Sequence, residues 1–177
     1  SRAGKQREPV IRFAHVLRAL GARSANGINS IHHLDSADDG LGQSPLLSPS
    51  VFNFYSPNFR QPGAIAQAGL YAPEFQITTE TSAAGALNFF ATLFDGGGYG
   101  SGSARLVLDY APLEALAEDP ARLVERLDLL LYAARMSDGT RTRLTTMLDA
   151  MRGRSARERV KAALIVTALS PDFVIQQ

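Results

Sequence analysis

A chain of 177 residues, 45% hydrophobic and 20% charged, has the size and composition of one globular domain able to bury a sizeable core. A net charge of +1, with basic residues spread among acids, lacks the concentrated basic face that nucleic acid requires. The absence of cysteine excludes disulfides, thiolate catalysis and Cys-ligated zinc.

Ser1-Arg2-Ala3-Gly4-Lys5 is polar and is not a signal peptide. A chain that starts without Met is read as a mature or excised fragment. Pro9 suits the first helical position and Gly21 the residue after the helix end. Val10, Phe13, Ala14, Leu17 and Leu20 recur at helical spacing as one apolar face. Arg12, His15 and Arg18 fall outside that stripe, which predicts surface positions. For His15 a role as ligand or base is the alternative.

Residues 22–48 are rich in Ser, Gly, Asn and Asp, the composition of a long functional or mobile loop. His32 and His33 are adjacent and diverge on any regular backbone, so they make a poor metal pair. Asp35, Asp39 and Gly40 sit at calcium-loop spacing, but Ala37 and Leu46 occupy positions where that loop needs oxygen ligands. A solvated turn is expected.

Residues 49–94 hold Phe52, Phe54, Tyr55, Phe59, Tyr71, Phe75, Phe89, Phe90 and Phe94, and this concentration predicts the core. Ser48-Pro49 and Ser56-Pro57 bias the chain to extended conformations, so 49–59 is read as a loop plugged onto that core. Pro62-Gly63 predicts a turn, with a short helix over 64–68. Pro73 and Glu74 suit a helix start. Apolar and small residues on every side through Phe94 predict a buried central helix over about 73–94. Asn88 within it is expected to be a buried amide tying down a neighbouring loop, with a ligand contact as the sharper reading. The uncharged run 81–94 is shorter than the roughly 18 residues that span a membrane.

Gly96-Gly97-Gly98-Tyr99-Gly100-Ser101-Gly102-Ser103 predicts a flexible link. A phosphate loop would need a preceding strand, a following helix and Lys-Ser or Lys-Thr. Asp119 and Pro120 then open a helix with Leu123, Val124, Leu127, Leu130 and Leu131 inward. Ser137 caps the next, carrying Leu144, Met147, Leu148 and Met151. Ser155 and Glu158 have capping-box spacing ahead of Val160, Ala163, Leu164 and Thr167. Ser170-Pro171 stops that helix, and Phe173, Val174 and Ile175 should dock back. Arg152, Arg154, Arg157, Arg159 and Lys161 read as a solvated basic face, or as partners for the preceding helix's carbonyl end.

Pro49-Ser50-Val51-Phe52-Asn53-Phe54-Tyr55-Ser56-Pro57 and Ala72-Pro73-Glu74-Phe75-Gln76 resemble the bacterial family called domain of unknown function 1800. The similarity extends to Arg126-Leu127-Asp128-Leu129-Leu130, Thr140-Arg141 and Ser170-Pro171-Asp172-Phe173. The chain departs from that pattern at Asp172-Phe173, where Glu-Tyr is expected, and at Tyr132-Ala133-Ala134, where a glycine is common. The resemblance implies a mostly helical protein, the C-terminal portion of longer members that are often exported and often encoded beside another uncharacterised secreted family. It implies no established reaction or catalytic residue.

A nucleophile elbow needs Gly-x-Ser-x-Gly, and Ser101 sits in Gly100-Ser101-Gly102, the wrong spacing. Carboxylates for glycoside chemistry could come from Glu74, Glu80, Asp95 or Asp109, but Glu74 and Glu80 diverge on a helix. The residues read as candidates for binding are polar groups among aromatics, Asn53, Tyr55, Asn58, Glu74 and Gln76, together with Asn88; such groups suit a sugar or peptide. The structural alternative is that Asn53 caps a turn and Tyr55 is a core aromatic.

The expected fold is all-α, an irregular helical bundle around the central helix with long loops at 22–62 and 95–111, forming a single domain over 1–177. The expected function is a noncatalytic binding or structural part of a larger bacterial envelope-associated or secreted protein. The alternative is a fragment of a hydrolase acting on glycans or peptides, with its other catalytic residues upstream. No cofactor, metal, nucleic acid or membrane span is expected. The expected partners are the upstream part of the same chain and a second secreted protein. The location is periplasmic or secreted if it follows the family.

Overall fold

The computed structural model describes residues 4–176, and the chain is mostly helical. In order come β1 (Lys5–Gln6), α1 (Pro9–Ala19), α2 (Ala64–Gln67), a 3-10 turn (Pro73–Ile77), α3 (Glu80–Gly96), β2 (Gly98–Tyr99), β3 (Leu106–Val107), α4 (Ala111–Glu114), α5 (Pro120–Leu127), a π-helical turn (Asp128–Tyr132), α6 (Asp138–Ala150), α7 (Ala156–Leu169), α8 (Pro171–Val174) and β4 (Ile175–Gln176). None of the described helices is long and apolar enough to cross a membrane. The chain divides into two compact units, with cuts after Phe13 of α1 and after Phe89 of α3.

The first unit comprises the chain up to Phe13, Ile31–Phe89 and the chain from Ile175. Its strands β1 and β4 are antiparallel, with Lys5 opposite Gln176 and Gln6 opposite Ile175. Phe13 and Phe89 meet edge to face at 5.0 Å, and Leu34 and Leu41 are buried beside a loop closed by Leu41 N–H donating to Leu34 C=O. The expected solvated turn sits there: the backbone N–H groups of Asp38 and Asp39 donate to Ser36 Oγ, and the aspartates face water.

The helix expected over 73–94 is two elements. Pro73–Ile77 is a 3-10 turn, and α3 starts afresh at Glu80 because Thr79 and Ser82 cap it reciprocally. Thr79 N–H donates to Ser82 Oγ at 2.8 Å and Ser82 N–H to Thr79 Oγ1 at 3.1 Å. Two hydroxyls thus supply the two acceptors that a Ser–Glu capping box supplies elsewhere.

Nor is α3 buried all round. Gly85, Ala86, Phe89, Phe90, Leu93 and Phe94 form one buried face at helical spacing, while Ala84, Leu87 and Asn88 are exposed. Ala83 and Ala84 are exposed and express helix propensity rather than burial. The loop over 49–59 also departs from expectation: Val51 is 95% and Phe52 66% exposed, and Phe54, Tyr55 and Phe59 are half-buried. Irregular backbone punctuated by proline carries polar groups that water satisfies, so it stays outside and takes its side chains with it.

The second unit comprises Ala14–Ser30 and Phe90–Val174 and holds most of the buried apolar side chains. Helix α1 ends as expected at Gly21, whose φ is +55°. Ala22 N–H donates to Leu17 C=O and Gly21 N–H to Arg18 C=O, the paired bonds of a Schellman end. The glycine-rich stretch is ordered rather than a flexible link: β2 and β3 pair antiparallel, and Arg23 bridges to Val107. Arg105 Nη2 donates to Gly96 C=O at 2.7 Å, which closes the end of α3.

The three caps expected downstream are present. Asp119 accepts from the N–H groups of Ala121 and Arg122, Ser137 from Thr140, and Ser155 and Glu158 form a full capping box. Tyr110 donates to Phe94 C=O at 2.8 Å inside this core, and Phe173 docks back fully buried. His15 is not a plain surface residue: its Nε2 donates to Leu130 C=O at 2.9 Å, and its ring lies 5.7 Å from Phe173.

Candidate functional site

The first unit gathers a knot of charged and polar side chains from four stretches. Glu8 precedes Pro9 at the start of α1, and Lys5 comes from β1. Gln43 comes from the first loop, Asn53 and Tyr55 from the aromatic loop, and Glu74 from the 3-10 turn. The 3-10 turn exists because Pro73 sets φ at its first position, and it carries Glu74 inward until only 4% of it is exposed.

A buried carboxylate needs a partner, and Lys5 Nζ meets Glu74 Oε1 at 2.8 Å. The Lys5 ammonium is held above its ordinary pKa, first by its hydrogen bond to Glu74, against a burial effect that lowers it, and further by the charges of Glu74 and Glu8. Glu8 accepts from Gln43 Nε2 at 2.6 Å, and Gln43 Oε1 accepts from Val10 N–H at 3.2 Å. Gln43 therefore serves an open donor in the first turn of α1.

The Tyr55 hydroxyl is pushed above its ordinary pKa by burial first, then by its hydrogen bond to Glu8 and by the negative charges of Glu8 and Glu74. A hydrogen bond with Asn53 opposes this in part. Tyr55 stays a neutral donor across the ordinary pH range.

Of the residues read from sequence, Asn53, Tyr55 and Glu74 come together here. Gln76 stands beside them as a loop tie, its Oε1 accepting from Ser56 N–H at 2.7 Å. Asn53 holds a left-handed turn at φ +71°, its N–H donating to Ser50 C=O at 3.2 Å. Asn58 and Asn88 are exposed and stand outside the knot. Asn88 is thus not the buried amide expected, because it lies on the solvent side of α3.

Lys5, Glu8 and Gln43 were not singled out from sequence. Glu8 and Gln43 lie 35 residues apart, and no spacing rule joins them. Of the carboxylates considered for glycoside chemistry, Asp95 pairs with Lys161 at 3.0 Å and Asp109 Oδ1 accepts from Ala111 N–H at 3.0 Å. Glu80 is exposed. Among the described residues no group of three or more His, Asp or Glu is placed to hold a metal ion.

Chemically, each acid of the knot has a partner within it. Glu74 is neutralised by Lys5, Glu8 is engaged by Gln43 and Tyr55, and Tyr55 is a poor acid. Its arrangement joins loop to strand to helix.

In comparison with known proteins, the model of a family described as "Protein of unknown function (DUF1800)" matches residues 1–175. No curated protein matches, and no solved structure does.

Proposed function

This chain belongs to that family, whose description carries no activity, and we propose that it is a noncatalytic binding or structural part of a larger bacterial envelope-associated or secreted protein. The observation that carries this reading is the apolar exposure along 46–71, on either side of α2. Leu46, Leu47, Val51, Phe52, Leu70 and Tyr71 lie within 46–71, and each is at least half exposed. Large apolar side chains grouped on a surface mark an interaction site. The Arg60 guanidinium lies 4.4 Å over the Tyr71 ring and donates to its hydroxyl at 2.8 Å, which holds that aromatic outward.

The pairing of Glu8 with Gln43 and Tyr55, and of Glu74 with Lys5, supports the same reading. General acid–base work needs a group free to exchange a proton with substrate. The upstream part of its own longer chain is the first partner to test, and a second secreted protein the next.

Val51→Ser with Phe52→Ser should leave folding intact, since both side chains are exposed, and should weaken capture of an upstream segment supplied in trans. Turnover of cell-wall or polysaccharide substrates by the longer protein, lost on Glu74→Gln with the fold retained, would overturn the noncatalytic reading.

A further inference from the structure

The second unit contains an open cleft of about 760 Å³, within the range that holds a small organic molecule. Arg122 and Arg126 stand one turn apart on α5, and Arg141 reaches in from α6. Residues at this spacing share a helix face. Arg122 and Arg126 are exposed, and neither forms an ion pair among the described residues.

Arg141 differs from them. Its Nη2 meets Asp128 Oδ2 at 2.5 Å, and Asp128 is buried and accepts Met136 N–H through Oδ1 at 2.9 Å. Asp128 is consumed in fixing Arg141, whose guanidinium has further donors than the one so used. Glu125 is the remaining carboxylate on the lining, so the cleft keeps a positive balance. Its other surface is apolar, from Leu116, Ala121 and Leu129, and Leu129 is 58% exposed.

The backbone beside the cleft is strained. A π-helical turn over Asp128–Tyr132 is followed by Ala133 at φ +54° and Ala134 at φ +59°. Consecutive left-handed alanines cost energy that persists only where the surroundings enforce them, and π turns recur at ligand sites.

We propose that this cleft binds an amphiphilic organic anion: a carboxylate or phosphate head held by the arginines, and an apolar body laid on Leu116, Ala121 and Leu129. Guanidinium forks match both oxyanions in two-point fashion. The inference goes beyond the binding-domain reading and names a ligand class for a different surface of the chain.

The test is titration of the 177-residue chain, followed by amide NMR, with octanoate and with octyl phosphate. The controls are 1-octanol, acetate and inorganic phosphate. Saturable shifts over 116–141 with octanoate or octyl phosphate, about tenfold or more tighter than with any control, are expected. The preferred head then separates a carboxylate ligand from a phosphate one.

Arg122→Gln with Arg126→Gln should weaken the preferred probe by about tenfold or more while the rest of the spectrum stays in place. Arg152→Gln, on an exposed pair with Asp149, should change nothing. Rising salt should weaken the anionic probes and spare octanol. Equal binding of octanol, no saturation, or an unweakened arginine variant overturns the cleft. Shifts confined to 46–71 overturn it while leaving the binding-domain reading in place. Turnover by the longer protein would overturn that reading and leave the cleft standing.

Discussion

Arg12 is where local pattern and final environment part most sharply. Its place off the apolar stripe of α1 predicted a surface residue, yet it is only 7% exposed and its Nε has no hydrogen-bond partner. Burial, with a smaller contribution from the charge of Arg7, lowers its pKa from the ordinary arginine value to about 10. Because the folded value lies below the unfolded one, the folded state is penalised at every pH below about 10. The penalty fades only as pH rises from there toward the ordinary arginine value.

Arg12→Met keeps the volume and removes the buried charge, so it should raise stability by about 1–2 kcal/mol in denaturant unfolding at pH 7. A lowered midpoint would show instead that Arg12 has an anionic partner in solution. Burial of this kind is invisible to helical periodicity, which ranks positions by polarity. Chain distant in sequence does reach this helix, as where Gln43 bonds Val10 and Glu8 at its start, and no helix-wheel argument contains that chain.

At the scale of elements, helix starts were legible wherever a side chain caps the backbone locally. Asp119, Ser137 and Ser155 all cap where their spacing indicated, because a cap depends on a few consecutive residues. The Thr79–Ser82 start was missed because Pro73 and Glu74 offered an earlier one, and the 3-10 turn satisfied that signal without propagating.

Gly85 supplies a test of how α3 packs. A Cβ there would lie 2.1 Å from the Ala37 carbonyl oxygen. Gly→Ala inside a helix ordinarily stabilises by about 1 kcal/mol. Here Gly85→Ala should instead lower stability by about 1–3 kcal/mol through overpacking, and a raised thermal midpoint would refute the close approach.

The opposite sign belongs to Ala133, whose φ is +54°. Ala133→Gly should stabilise by about 1 kcal/mol, measured by urea unfolding. Residues 132–134 are a stretch where the family resemblance makes a glycine common, and the left-handed backbone supplies the reason.

Across the whole molecule, ties between distant stretches decide stability, and Asp172 is one that pH can read. Burial acts to raise the pKa of its carboxyl. That effect is outweighed by hydrogen bonds with the Ser137 hydroxyl at 2.6 Å, with Thr140, and with Ser137 N–H at 3.0 Å, so the value lies below the ordinary 3.8. A depressed carboxyl value adds stability that is complete above the unfolded pKa and is lost as pH falls through the folded one.

Asp172→Ala should therefore cost about 1–2 kcal/mol at pH 7, with partial exposure keeping it near the lower figure. The gap to the native chain should narrow below about pH 3.8. A gap that persists unchanged into acid would assign the loss to packing rather than to the carboxylate.

By itself the sequence determined the mostly helical class, the three caps, the glycine end of α1 and the family, since each rests on residues within a turn or two of one another or on a motif read directly. It also brought Asn53, Tyr55 and Glu74 forward as polar groups among aromatics. Only the tertiary structure decided that 49–59 lies outside, that most of the buried apolar surface belongs to the second unit, and that Lys5, Glu8 and Gln43 complete the knot around Tyr55. The physical reason is common to all three. Burial and pairing depend on which distant segment covers a side chain, and that choice is made by the whole chain minimising exposed apolar surface, whereas composition and spacing describe only the neighbours in line.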